Sequence, residues 1–316
     1  MTAVEGVLAV NEPDAWHAPA TYWFWHRLPT DTEIKDQVAQ MSAAGYRAFQ
    51  IQARLSFPRT EYLGPAYLAA CRTAADAAAA HEMLIGIYDE YNWLSGHAGG
   101  RTVEGRDELR ERHLFWATTT GTGGVCDIDE IRPTDVEYLL DPGMNWVFED
   151  ARVEWADWEI VAALAHPAQV GDEAGIVDVT ASARFTATSA TGCAVTADLP
   201  PGTGTLTVFV AARCATSRMI NYLMPEAAQR FLEVCYEPYR AAFGEHFGTT
   251  VAYAFFDQPH GCFFRWRQHE GHLGSSLMYD AALVGDDPEA FRRSLLALVR
   301  DVGPATAARR CDFFER

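Results

Sequence analysis

Positive charge is scarce in this 316-residue chain: 25 Lys and Arg face 43 Asp and Glu, a formal charge of −18. Such a field repels phosphate backbones and anionic headgroups, so nucleic acid and a lipid surface are not expected partners. No stretch approaches the roughly eighteen uninterrupted apolar residues of a membrane-spanning helix. The opening MTAVEGVLAV has no basic region, and Asn11, Glu12 and Asp14 break its apolar run, so no export signal is read there. The seven cysteines are odd in number and form no CxxC pair, which fits reduced thiols better than a disulfide framework. Cys71 and Cys235 fall on apolar helical faces, as small buried hydrophobes do. Gly96–Gly100 and Gly121–Gly124 complete neither a Walker nor a Rossmann pattern and read as turns. These absences point to a cytoplasmic chain. With 49% hydrophobic and 22% charged residues it is ordered rather than intrinsically disordered.

What is present begins with β/α grammar. Thr21 to His26 (TYWFWH) is an aromatic strand, and Asp31 opens a helix with Ile34, Val38, Met41 and Ala44 at helical spacing before Gly45. Tyr46 to Arg54 (YRAFQIQAR) is a second strand, with Phe49 and Ile51 on one side and Gln50, Gln52 and Arg54 on the other. An alanine-rich helix over Tyr67 to His81 leads to a third strand, Met83 to Tyr91, ending in Asp89 and Glu90. Repeats of this kind imply a parallel sheet. From about His113 to Arg218 short β-rich segments between Gly, Pro and Asp turns replace the helical periodicity, as an inserted β-sandwich would. Trp116, Trp146, Trp155 and Trp158 read as its core rather than as sugar-stacking plates. Helical code returns at Met224 to Phe243. A fourth strand, Val251 to Phe256, follows and runs into Asp257, Gln258 and Pro259. Two helices, Pro288 to Val302 and Pro304 to Phe314, close the chain. The expected fold is therefore α/β, a partial TIM-type β/α barrel interrupted by a β-sandwich insert. Its segments are 1–112 for the first β/α units, 113–218 for the insert and 219–316 for a further β/α unit with the C-terminal helices. A full barrel needs eight strands, so half is expected here: either the chain is a truncated piece, or its open edges are covered by a partner such as a second copy or by rearrangement.

Catalytic groups in barrels gather at the C-terminal ends of the strands. Those ends offer His26, then Arg54, then Asp89, Glu90, Asn92 and Trp93, and finally Asp257 with Gln258. Carboxylates and amides that hydrogen-bond hydroxyls, an arginine and an indole plate suit a polyhydroxylated ligand. Glycosidic cleavage needs two carboxylates flanking the bond, for which Asp89, Glu90 and Asp257 are candidates. Neighbours on a strand point to opposite faces, so at most one of Asp89 and Glu90 aims at a ligand unless the strand has ended. Gln258 has no titratable proton. His260, Cys262, His269 and His272 match no zinc-ligand spacing and read as loop residues, so no metal is expected.

WFWH at 23–26, FQIQAR at 49–54 followed by TEYLGPAY at 60–67, IYDEYNWLSGHAGG at 87–100, NYLMPEAAQRF at 221–231 and GEHFGTTVAYAFFDQPH at 244–260 resemble, in order, the large bacterial glycoside hydrolases related to the α-L-rhamnosidase type. The resemblance runs from about Thr21 to Phe314 and implies a TIM-barrel catalytic domain with a β-rich insert after the third strand. Those relatives continue well past the positions of Phe313 and Phe314. Their pattern after the fourth strand is Asp-Glu-Pro with glutamate as the acid, whereas this chain has Asp257, Gln258 and Pro259. Loss of that acid slows the affected step by about two to four powers of ten. Leu94 stands where relatives usually carry Pro. The resemblance admits calcium at sugar hydroxyls, but no loop spells out such a site, so no cofactor is expected.

The expected function is that of a glycoside-hydrolase-like protein acting on or binding a sugar or glycosylated small molecule. Asp257, Gln258, Glu90 and Asp89 are the candidate catalytic positions. His26, Trp23, Arg54, Glu61, Asn92, Trp93 and His260 would bind the ligand, with Glu61 orienting Arg54 and Trp93 or Trp23 stacking the ring. The alternative is a non-catalytic sugar-binding pseudoenzyme or a barrel-completing subunit.

Overall fold

The computed structural model describes residues 17–54, 56–121, 124–134, 146–258, 264–269 and 276–316. β1 (Ala20–Trp25) is followed by α1 (Asp31–Ala43), β2 (Ala48–Ala53), α2 (Pro65–Ala80) and β3 (Leu84–Tyr91). A β-rich stretch then contains β4 (Arg112–Thr120), β5 (Val125–Ile128), β6 (Arg132–Pro133), β7 (Trp155–His166), β8 (Val177–Asp178), β9 (Arg184–Thr188), β10 (Cys193–Thr196) and β11 (Thr205–Cys214). Next come α3 (Pro225–Phe231), a single π turn at Leu232–Tyr236, α4 (Glu237–Phe243) and β12 (Val251–Phe255). The last elements are β13 (Phe264–Arg265), β14 (Leu277–Met278), α5 (Pro288–Val299) and α6 (Thr306–Phe314). The chain forms two compact units: the described parts of Met1–Thr102 with Ala228–His260, and of Val103–Ala227 with Gly261–Arg316.

Local sequence explains the elements of the first unit. α1 opens on a capping box, in which the Thr30 hydroxyl accepts the Glu33 N–H at 3.3 Å and Glu33 Oε2 accepts the Thr30 N–H at 2.8 Å. Its apolar stripe buries Ile34 and Val38, and Gly45, at φ 92°, takes the left-handed conformation that ends it. α2 begins with Pro65, whose missing N–H costs nothing in a first turn, and buries Tyr67, Cys71 and a face of alanines small enough for close packing. The four strands pair in the order β1-β2-β3-β12, every neighbour parallel. Spatial order thus follows chain order, as crossover connections of one hand produce. Among the described residues this sheet is open, and no closed barrel is formed.

The two faces of the sheet differ. Trp23, Trp25, Phe49 and Ile51 are buried on one side, where the Trp23 indole donates to Gln37 of α1 at 2.8 Å and Trp25 meets Tyr67 of α2. On the other side stand Tyr22, Phe24, Gln50, Gln52, Gly86, Tyr88, Tyr253 and Phe255, and Tyr22 and Phe24 are 43% and 47% exposed. Tyr253 lies across Gly86 and donates to Gln50 Oε1 at 2.8 Å.

In the second unit a five-stranded antiparallel sheet runs β14-β4-β11-β7-β8, beside smaller sheets β5-β10-β9 and β13-β6. α5 and α6 place Phe291, Leu295, Leu296 and Phe313 against Leu114, Val161, Leu164 and Phe209 of the large sheet. Their apolar faces are thus spent on the β-rich unit. Trp146 and Trp155 are buried in it, as a core role requires.

A Cβ at position 86 would lie 2.2 Å from the Tyr253 ring. Gly86→Ala is expected to displace that ring, break its bond to Gln50 and cost about 1–3 kcal/mol. Urea unfolding followed by tyrosine and tryptophan fluorescence measures the loss.

Candidate active site

The site is built where β3 and β12 end. β3 finishes on two adjacent carboxylates, Asp89 and Glu90, and both are fully buried. Asp89 turns toward the helices. Its Oδ2 accepts the Tyr236 hydroxyl at 2.7 Å, its Oδ1 accepts the Ser95 hydroxyl at 2.6 Å, and its backbone carbonyl accepts the Cys235 thiol at 3.2 Å. Cys235 and Tyr236 both sit on the π turn, an insertion that re-aims side chains relative to a regular helix. Burial, and next the nearby Glu90, raise the Asp89 carboxyl to about 7.

Glu90 organises the loop that follows. Its Oε1 accepts the backbone N–H groups of Gly96, His97 and Ala98, the last two at 3.1 and 3.5 Å. His97 Nε2 lies 2.7 Å from Glu90 Oε2 and 3.1 Å from the Trp93 carbonyl. Burial raises the Glu90 carboxyl, while His97 and the amides oppose that rise. The loop so gathered is bent hard: Asn92 and Leu94 both have φ 67° and Ala98 has φ 49°. A proline ring locks φ near −65°, so this loop has no place for a Pro at position 94.

Ser95 carries the loop across to β12. Its N–H donates to the Asp257 carbonyl at 2.8 Å, and its hydroxyl accepts the Asp257 N–H at 2.7 Å while donating to Asp89. The Tyr88 hydroxyl lies 2.5 Å from Asp257 Oδ2 and 2.9 Å from the Asn92 carbonyl. Burial, then its bond to Asp257, hold the Tyr88 phenol far above its ordinary range, so it remains a donor. Asp257 is therefore pinned from two sides and half-buried, and Gln258 beside it is exposed at φ 46°.

Arg54 completes the rim. Its guanidinium lies 4.5 Å over the Trp93 ring and 5.3 Å from the Phe24 ring, with Gln52 Oε1 at 3.5 Å. Gln52 in turn donates to the Asn92 carbonyl. Tyr22, Tyr88 and Phe255 form a connected aromatic floor, with Tyr88 and Phe255 stacked at 5.6 Å and 12°.

The structure therefore brings Arg54, Trp93 and Asp257 to one rim, with Asp89, Glu90 and Asn92, which is only 1% exposed and so does not reach a ligand as expected, beneath it. Two more of the expected roles are corrected. Trp23 is 9% exposed and faces α1, so the accessible ring on that strand is Phe24. Glu61 is exposed, and the groups that hold Arg54 are Trp93, Phe24 and Gln52. His26 is exposed, and its carbonyl accepts the Ser56 hydroxyl at 3.2 Å. His260, Pro259, Cys262 and His272 lie outside the described residues. Tyr22, Phe24, Tyr88 and Ser95 were missed by the sequence reading. Strict alternation along TYWFWH, which puts Tyr22 and Phe24 opposite Trp23 and Trp25, was the signal for the first two.

Among the described residues no group of three or more His, Cys, Asp or Glu side chains is arranged to hold a metal ion. No described helix is long and apolar enough to cross a membrane. The second unit contains a serine–histidine–glutamate line, with Ser276 Oγ 3.1 Å from His113 Nδ1 and His113 Nε2 2.9 Å from Glu111 Oε2. It lies among the Phe115, Trp155 and Phe264 rings with each member at most 7% exposed, and the imidazole is reversed relative to a serine hydrolase. It acts as a buried polar network.

No protein-family model matches the chain, and no curated protein matches it in sequence. In structure it is similar to the rhamnosidase from Novosphingobium sp. PP1Y, with a TM-score of 0.51 and 12% identity over 96% of this chain and 43% of that one. At this identity the likeness is one of fold, a rhamnosidase-like mixed α/β arrangement, and the chain spans less than half of its neighbour's length.

Folded Asp89 keeps its proton to about pH 7, whereas the unfolded chain releases it near 3.8. Its contribution to stability is thus complete below 3.8 and is lost as pH rises through about 7. Thermal melts of Asp89→Asn are expected to show a flatter decline between pH 4 and 7 than those of the natural chain. A separate substitution, Leu94→Pro, is expected to lose the turn at Ser95 and with it about 2 kcal/mol or more, read from urea unfolding.

Proposed function

We propose that the exposed face of the parallel sheet is the first half of a TIM-type β/α barrel and binds a glycosyl unit of a sugar or glycosylated small molecule. Trp93, braced by Arg54, and Phe24 offer flat apolar surface to a ring face. Asp257, held by Tyr88 and Ser95, accepts from ring hydroxyls, and the exposed Gln258 donates and accepts beside it. The observation that carries this reading is Asp257, an accessible and doubly anchored carboxylate at the edge of an exposed aromatic face. Likeness in fold to a rhamnosidase agrees with it.

The same geometry favours binding over hydrolysis. Cleavage requires two carboxyl groups flanking the bond, and Asp89 and Glu90 are withdrawn into the protein by their own hydrogen bonds. Gln258 has no proton to give. The chain by itself then acts as a sugar-binding, rhamnosidase-like module without turnover.

Isothermal titration with aryl α-L-rhamnosides and aryl β-D-galactosides tests this. Binding without release of the aryl alcohol is expected, and Trp93→Ala and Asp257→Ala should each weaken it about tenfold or more. Undiminished affinity in both variants, or no binding by the natural chain, would sink the proposal. In Gln258→Glu an acid stands beside Asp257, and release of the aryl alcohol, undetected for the natural chain, is expected to become measurable.

A further inference from the structure

The second unit carries a polar cleft of about 260 Å³ on the β4–β11–β7 part of its large sheet. Arg112 and Arg213 stand directly opposite each other on β4 and β11, a like-charge cross-strand pair that a sheet ordinarily disfavours. β7 answers them through a bulge: between Ala211 and Arg213 of β11 its partners jump from Glu159 to Ala156, and Asp157 takes φ 53°. Asp157 Oδ2 accepts from Arg213 Nε at 2.7 Å, and Glu159 Oε2 accepts from Arg112 Nη2 at 2.9 Å. The Tyr279 hydroxyl donates to Glu159 Oε1 at 3.3 Å, and its ring lies 5.9 Å from the Arg112 guanidinium. Even so, among the described residues the buried Arg112 Nε and Arg213 Nη1 make no hydrogen bond.

A strained left-handed aspartate, opposed arginines and unsatisfied guanidinium nitrogens each cost stability, and all three meet in one cleft. Asp157 and Glu159 are 60% and 46% exposed at the side chain, so their free lone pairs face solvent. The guanidinium groups supply donors beside them, and Tyr279 and Met224 supply apolar surface. With Glu108 and Asp280 at its edge, the cleft holds four carboxylates against the three cations Arg110, Arg112 and Arg213. That balance does not favour an anion. Hydroxyl groups, each donor and acceptor at once, match alternating guanidinium and carboxylate partners. The volume lies below the roughly 300–1,000 Å³ of drug-sized pockets. We infer that this cleft binds a neutral, multiply hydroxylated ring, a single monosaccharide residue, at a site of its own in the second unit.

The test uses the full chain carrying Trp93→Ala and Asp257→Ala, so that the proposed site of the first unit is disabled whatever its own ligand. Methyl α-L-rhamnopyranoside, methyl β-D-galactopyranoside and D-glucuronate are titrated and followed by saturation-transfer NMR. At least one neutral glycoside is expected to bind, and more tightly than glucuronate. Adding Asp157→Gly, which suits the left-handed backbone, or separately Glu159→Gln, is expected to weaken binding at least about tenfold. No binding of either neutral glycoside, tighter binding of glucuronate, or affinity unchanged in both added variants overturns the inference.

Discussion

Two adjacent carboxylates buried at the end of β3 set the geometry on which the first unit's site rests. Burying one ionised carboxyl is costly, and burying two neighbours adds their repulsion. Asp89 meets this cost by holding a proton to about pH 7 and by bonding to Ser95 and Tyr236. Glu90 meets it by collecting three backbone N–H groups and His97. Each set of bonds pulls a distant piece of chain into place. The loop carrying Asn92 and Trp93 is bent around Glu90, and Ser95 ties that loop to the Asp257 backbone. The accessible groups are thus positioned by inaccessible ones.

A second constraint is the uneven covering of the parallel sheet. Such sheets are generally covered on both faces. Here helices cover the Trp23 and Trp25 face, while Tyr22 and Phe24 on the other remain nearly half exposed. A face of rings and amides, rather than aliphatic side chains, tolerates water and offers partners to a ligand with both apolar and hydroxylated surfaces. The second unit solves the matching problem differently, by placing α5 and α6 on its sheet and leaving a charged cleft at the β7 bulge.

Much of the first unit was legible because its signals are local. Thr30 and Glu33 mark a helix start by their own hydrogen bonds, and alternation along β2 separates Phe49 and Ile51 from Gln50 and Gln52 without reference to any other strand. Trp23 and Phe24 show where reading by residue type misleads, since the larger ring is the one turned inward. Glu61 was assigned to Arg54 by charge alone, whereas the guanidinium settles on Trp93 and Phe24. The C-terminal helices have clear caps and apolar faces, yet nothing in their periodicity says which sheet those faces meet.

The sequence by itself determined the order of strands and helices and which residues end the strands, because capping, periodicity and turn chemistry act within a few residues. Only the tertiary structure decided that Asp89 and Glu90 are withdrawn and Asp257 is presented. Exposure depends on contacts that close across the chain: the hydroxyl that holds Asp89 comes from Tyr236, 147 residues away, and the one that holds Asp257 from Tyr88, 169 residues away. No local pattern encodes such a meeting, since it arises when the sheet and its helices pack.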